Sequence, residues 1–357
     1  MTAATPSRAS AIPIGVPRAQ PVHDTALDGM RFVALLFVTA IHIGAKGFGQ
    51  LGQHWWAINA YESVSRVAVP LFFMISGALL LPRQQTIGAI GKRLWRIAVP
   101  LLGWSVLYLC WFRYAGDMRG DWVKRIVLGP VVAHLWYLYA LAGAYLFLPV
   151  MAGFYQATAV RVQVFCLAFW FLGACVIPLE IALRGAVSIS IDLSYLSLYG
   201  GYMVAGAVLY HHLPARLPRP GLVWAAWILL SAAIALATWW RCDRLGRADE
   251  AFYVYSSPLV ALAAFAAFCS LRWLFATILV AGSQLERFLA FFGKTSFGVY
   301  LMHVWALFFV DAKFGYDYQF VNPWIAIPVL TLFIVLACSL AVRGLQQIPG
   351  VRMLVPS

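Results

Sequence analysis

The chain of 357 residues is 63% hydrophobic and only 11% charged, whereas soluble domains carry about 25% charged residues; it cannot cover a globular surface of its own in water. Its net charge of +13 would suit nucleic acid, but the basic residues sit in short clusters between apolar runs, the pattern that orients helices in membranes, and nucleic acid is rejected as a partner. The six cysteines show no paired spacing, so neither a disulfide framework nor a metal-ligand set is expected.

Residues 1–25 are polar, rich in Ala, Pro and Ser, and have no apolar run before Leu27, which reads as a disordered cytoplasmic tail rather than a cleaved signal. Apolar spans follow at 27–45, 61–82, 95–112, 132–151, 162–182, 195–211, 222–240, 252–271, 290–310 and 324–342. Each is close to the roughly 20 residues that cross a bilayer as a helix. The expected fold is therefore all-α: a polytopic transmembrane helical bundle of about ten spans in one domain, residues 26–345, with a short cytoplasmic tail at 346–357 and room for one more span in 272–310. With the N-terminus inside, the inner loops hold Arg83, Lys92, Arg93, Arg96, Arg161, Arg216, Arg219, Arg272, Arg287 and Lys294, while most acids fall outside. This bias predicts both termini in the cytoplasm.

Ionisable groups within spans cost about 2.5–3.5 kcal/mol each on insertion scales, so they mark cavities or partners. The first span, LDGMRFVALLFVTAIH, carries Arg31 and His42 eleven residues apart. That is close to three helical turns, which places both on one face about 16 Å apart along the axis. A guanidinium suits a phosphate and an imidazole suits proton transfer, so one elongated ligand touching both is one reading. Snorkelling of Arg31 and a helix-to-helix hydrogen bond from His42 is the other.

In the second span, YESVSRVAVPLFFMISG, Glu62 and Arg66 are spaced i,i+4 and can pair with each other. The third span opens on KRLWRIAVP, where Lys92, Arg93 and Arg96 make either a positive-inside anchor or a landing site for an anionic cofactor. His134 and Trp136 begin HLWYLY, His303 ends GKTSFGVYLMH, and Glu180 lies in the fifth span. An interfacial aromatic belt accounts for Trp136 and its neighbours as well as a sugar-stacking role does. The chain has no Walker loop, GxSxG elbow or HExxH, which leaves ATP-driven transport and the familiar hydrolases without support.

Arg31 with His42, then RVAVPLFFMISG, KRLWRIAVP, HLWYLY and GKTSFGVYLMH, stand in the order seen in the acyltransferase-3 family of membrane acyltransferases, which the chain resembles from about Leu27 to about Val342. The form VPLFFMISG resembles the compact branch that includes the enterobacterial common antigen and exopolysaccharide O-acetyltransferases. The resemblance implies transfer of an acyl group, usually acetyl, from cytoplasmic acetyl-CoA to a hydroxyl of a glycan or lipid-linked oligosaccharide, in a bacterial inner membrane among its lipids. It also maps the family's motif residues onto Arg31, His42, Arg66 and His303, expected to be catalytic except for Arg31, with His42 either a general base or a nucleophile that carries the acyl group. Beside it, the residues themselves suggest Arg31, Lys92, Arg93 and Arg96 on the CoA phosphates, and His134 and Trp136 on the acceptor. The tenth span shows no counterpart of a late acidic residue. A carrier or flippase for lipid-linked sugars is the alternative.

Overall fold

The computed structural model describes residues 24–116, 121–185 and 197–357. Within them the chain is helical: α1 Thr25–Phe48, α2 Trp55–Ser65, α3 Ala68–Leu80, α4 Ile87–Tyr114, α5 Trp122–Leu128, α6 Trp136–Ala157, α7 Val160–Phe171, α8 Ile177–Arg184, α9 Leu198–His212, α10 Pro220–Leu245, α11 Pro258–Ile278, α12 Gln284–Phe314 and α13 Pro323–Leu345. Among the described residues, nine stretches are long and apolar enough to cross a membrane. α9, of 15 residues, occupies the place of the expected 195–211 span. The 272–310 stretch holds the end of α11 and a single long helix, α12, with no additional span. Residues 1–23 of the expected N-terminal tail lie outside the described residues, and Asp24 caps α1 by accepting from the Ala26 N–H at 2.9 Å.

α12 begins on Ser283, whose hydroxyl accepts from the Glu286 N–H at 3.1 Å. Glu286 reaches back to the Gly282 N–H at 2.6 Å, so orphan donors are satisfied on both sides of the helix start. α2 and α3 are two halves of one pass, parted at Arg66 and Val67. The cause is Pro70, which lacks the N–H that would bond the Arg66 carbonyl four residues earlier. The break leaves Arg66 at a helix end in mid-pass.

α1 and α12 run parallel, joined at one end by the Thr25 hydroxyl to Glu286 at 3.3 Å and at the other by the ion pair of Lys46 and Asp311. These links define two faces: an N-terminal face, where α1 and α12 begin, and an opposite face, where both end. α3 and α9 approach through glycines. A Cβ on Gly77 would fall 1.9 Å from the Met203 carbonyl oxygen, and one on Gly206 would fall 2.1 Å from that of Met74. Small residues let membrane helices pack backbone to backbone in this way, where lipid offers no hydrophobic drive between helices.

The 346–357 segment, read from sequence as a tail, lies folded against α4 and α12. Gln346 donates to the carbonyls of Lys294 and Val355 at 3.0 and 3.1 Å, the Trp104 indole donates to that of Leu354 at 3.0 Å, and Val355 is buried.

Candidate active site

Three histidines from distant parts of the sequence meet in the bundle. His42 comes from α1, His303 from α12, and His134 from a single 3-10 turn, Ala133–Leu135, that precedes α6. Their ring centroids lie 5.2 Å apart for His42–His303 and His134–His303, and 5.8 Å apart for His42–His134. His134 and His303 are buried, whereas His42 is partly accessible. Among the described residues no cluster of His, Cys, Asp and Glu has the arrangement of a metal centre.

The hydrogen bonds fix the two buried rings. His303 Nδ1 lies 2.7 Å from the Tyr300 carbonyl, which can only accept, so Nδ1 carries the proton and Nε2 presents its lone pair. His134 Nε2 faces the Tyr108 hydroxyl at 3.5 Å. That hydroxyl already donates to the Leu301 carbonyl at 2.9 Å, so the Nε2 of His134 is the donor and its Nδ1 is the free lone pair. Both lone pairs, His303 Nε2 and His134 Nδ1, are buried without a hydrogen-bond partner among the described residues. Tyr300 in turn donates to the His134 carbonyl, tying α12 to the 3-10 turn.

His42 and His134 open onto a cavity of about 460 Å³ whose wall also holds Arg66, Trp136, Tyr199 and Tyr255. Trp136 stacks on Tyr255 with centroids 5.6 Å apart and an interplanar angle of 28°. Arg66 is held from two sides, 2.5 Å from a carboxylate oxygen of Glu62 and 4.5 Å above the Tyr253 ring. Tyr253 donates to Asn59 Oδ1, and Asn59 donates to the Ala235 carbonyl at 3.0 Å, so the arrangement is anchored through α2 to α10. The cavity thus gathers two neutral bases, one fixed cation and flat aromatic surfaces. This set suits proton transfer, stabilisation of a developing oxyanion and stacking against a ring.

The predicted cofactor residues lie elsewhere, towards the N-terminal face. Arg31 pairs with the buried Asp28 at 2.6 Å, Arg93 donates to Gln85 at 2.9 Å, Arg96 donates to the main-chain oxygen of Ser357 at 3.3 Å, and Lys92 is exposed. Arg31, Arg93 and Arg96 all act electrostatically on Tyr145 of α6. Arg31 also acts on Tyr137, a residue of the cavity wall. The basic group and the histidine cavity therefore stand at successive heights along α1 and α6. Glu180 is apart from both, paired with Arg184 at 3.5 Å near the end of α8.

A family profile described as an acyltransferase domain matches residues 24–343, nearly the whole chain. The chain belongs to the acyltransferase-3 family. An amino-acid racemase of Enterococcus faecalis is 31% identical over 122 residues, covering 32% of this chain and 16% of the racemase. The chain thus spans only a small part of that curated relative's length. No solved structure matches.

Within this acyltransferase-3 protein the expected residues form two groups: His42, Arg66, His134, His303 and Trp136 converge, and Arg31, Lys92, Arg93 and Arg96 stand towards the other face. Sequence reasoning passed over Tyr199, Tyr253, Tyr255 and Glu250 of the cavity wall. The only signal was the run FYVYS ahead of α11, indistinguishable in sequence from an interfacial belt.

The loop carrying Glu250, Tyr253 and Tyr255 is shaped by Arg241, which bonds Asp249 at 2.6 Å. Burial works to raise the Asp249 carboxyl, but hydrogen bonds from Arg241 and Ala251 and the charges of Arg241 and Arg247 outweigh it, holding the group below the usual carboxylate range. Because the folded value is lowered, this contribution is present above the unfolded Asp value and is lost as pH falls through the folded one. Asp249→Asn is expected to reproduce the acid effect at neutral pH, as faster amide exchange over 248–256; unchanged protection there would show that the pair does not hold the loop.

Proposed function

We propose that the protein is an acyl-CoA-dependent O-acyltransferase that places an acyl group, acetyl being the first to test, on a hydroxyl of a cell-surface glycan or lipid-linked oligosaccharide. On this reading it acts in a bacterial inner membrane with its N-terminal face in the cytoplasm. The observation that carries the reading is the meeting of His42, His134 and His303 beside Arg66 in one aromatic-walled cavity, with a separate basic group towards the opposite end.

The CoA phosphates are held at the N-terminal face by Arg31, Lys92, Arg93 and Arg96 through charge-assisted bonds. The pantetheine arm runs beside α1 towards His42. The acceptor sugar enters the cavity and lies against Trp136, with His134 beside it. His42, the accessible imidazole, takes the proton of the acceptor hydroxyl as its oxygen attacks the thioester carbonyl. Arg66 balances the oxyanion. The C–S bond then breaks and the proton passes from His42 to the departing thiolate, leaving the ester and free CoA. His303, with Nδ1–H committed to Tyr300, has its Nε2 lone pair unpartnered and its ring centroid 5.2 Å from that of His42, where it is available to accept a hydrogen bond from the imidazolium as that forms.

Purified protein in liposomes, given labelled acetyl-CoA and a membrane extract of lipid-linked oligosaccharides, is expected to move label into glycan. His42→Ala is expected to lower the rate by about 10²–10⁴-fold, the usual size of general acid–base catalysis. Full activity in a folded His42→Ala protein would overturn the mechanism. A carrier for lipid-linked sugars would bind the extract yet release no CoA, so CoA release separates the two readings.

A further inference from the structure

The folded-back 346–357 segment creates a second cavity, of about 480 Å³, at the N-terminal face. Its wall comprises Arg96 and Trp95 of α4, Arg343 of α13, and Arg352 and Val355 of the C-terminal segment. Three guanidinium groups converge there, and no Asp or Glu side chain is among its lining residues. Among the described residues, none of the three arginines makes an ion pair with an acidic side chain. Trp95 is 68% exposed, a free flat surface at the rim. We propose that Arg343, Arg352 and Trp95, together with Arg96, form the site for the adenosine 3′-phosphate end of coenzyme A, whose diphosphate is left to Arg31, Lys92 and Arg93; this inference rests on the acyl-CoA reading above.

Charge, shape and distance each favour this occupant. Guanidinium groups bind phosphates bidentately, and converging ones match the 3′-phosphate. An exposed indole beside them supplies the stacking surface that a purine takes. Arg96 of this cavity and Arg31 both lie near enough to Tyr145 of α6 to act on it, which puts the cavity at the same end of the bundle as Arg31. α4 itself measures the gap: Tyr108, whose hydroxyl faces His134, lies twelve residues beyond Arg96. At the helical rise this is about 18 Å. α1 sets off Arg31 from His42 by nearly the same length, about 16 Å. An extended phosphopantetheine arm suits such a span. The headgroup of an anionic lipid shares the phosphate chemistry, and Val99, Met353, Val355 and Pro356 give the cavity apolar wall as well, so lipid vesicles enter the test as a competing occupant.

The full chain in detergent is titrated with adenosine 3′,5′-bisphosphate, which carries the nucleotide end without pantetheine. Saturable binding is expected, weakened at least tenfold in Arg343→Gln/Arg352→Gln. In the transfer assay the double variant is expected to show a KM for acetyl-CoA raised at least tenfold and to lose the preference for acetyl-CoA over its 3′-dephospho form. A wild type that does not bind the bisphosphate, or a double variant with the same affinity and the same preference, would overturn the proposal. So would binding of phosphatidylglycerol vesicles through these arginines without competition from the bisphosphate. Bisphosphate binding that depends on Arg343 and Arg352 in a protein that never turns over acyl-CoA would keep the nucleotide site and sink the acyltransfer reading instead.

Discussion

Glu62→Ala is expected to cost about 3–5 kcal/mol of stability, the usual penalty for removing one partner of a buried ion pair, and to remove transferase activity. Glu62 is 1% and Arg66 12% exposed, and their side chains meet at 2.5 Å. Without the carboxylate the Arg66 charge is left in a low-dielectric wall, with uncharged neighbours, the Tyr253 ring and Tyr255, as its remaining close support. It then turns towards water in the cavity and away from the position it needs beside His42. The double variant Glu62→Ala/Arg66→Met is expected to recover much of the stability, because an uncharged chain of similar length fills the same volume, and none of the activity. Thermal unfolding in detergent with the transfer assay reads both. Equal melting temperatures for wild type and Glu62→Ala would show that the pair is not buried in the working protein.

Gly77→Ala is expected to be the most damaging single methyl in the bundle. The added carbon would lie 1.9 Å from the Met203 carbonyl oxygen, and that atom belongs to a helix backbone, not to a side chain that can swing away. α3 and α9 must move apart, at a cost of about 3 kcal/mol or more, the upper part of the overpacking range. Arg66 stands at the start of α3 and Tyr199 at the start of α9, so the shift also opens the cavity. Gly143→Ala is the control, since no atom lies within 4 Å of its Cβ position. A Gly77→Ala protein as abundant and as heat-resistant as Gly143→Ala would refute the backbone contact.

The helical passes were legible because hydropathy over about 20 residues is a local property, and short loops left little freedom in dividing the chain. The Glu62–Arg66 pair was legible for the same reason, since i,i+4 spacing on one helix decides it. The meeting of His42, His134 and His303 was not. Each is a lone polar residue within an apolar stretch, and only helix packing over 261 positions of sequence brings the first to the last. His134, like Glu180, was among the weaker candidates, and a 3-10 turn ahead of a helix leaves no periodic mark. Tyr199, Tyr253 and Tyr255 were hidden by composition: aromatic residues near span ends serve as interface anchors far more often than as cavity walls. The docking of 346–357 depends on hydrogen bonds to main-chain oxygens, from Trp104 to Leu354, from Arg96 to Ser357 and from Gln346 to Lys294, which no side-chain pattern announces.

The bonds made by Tyr108 and Tyr300 bear on how such a protein leaves its membrane charged. A site reached by one substrate from each side is a candidate leak, and each proton that slips across 100 mV dissipates about 2.3 kcal/mol of stored work. Proton current needs a file of hydroxyls free to rotate and pass hydrogen onward. Tyr108 has its proton committed to the Leu301 carbonyl and Tyr300 to the His134 carbonyl, both facing the imidazoles. On the acyl-transfer reading proposed above, these two committed phenol protons would act as insulation around the histidines, offering no hydroxyl relay at either residue while an acyl group is passed on.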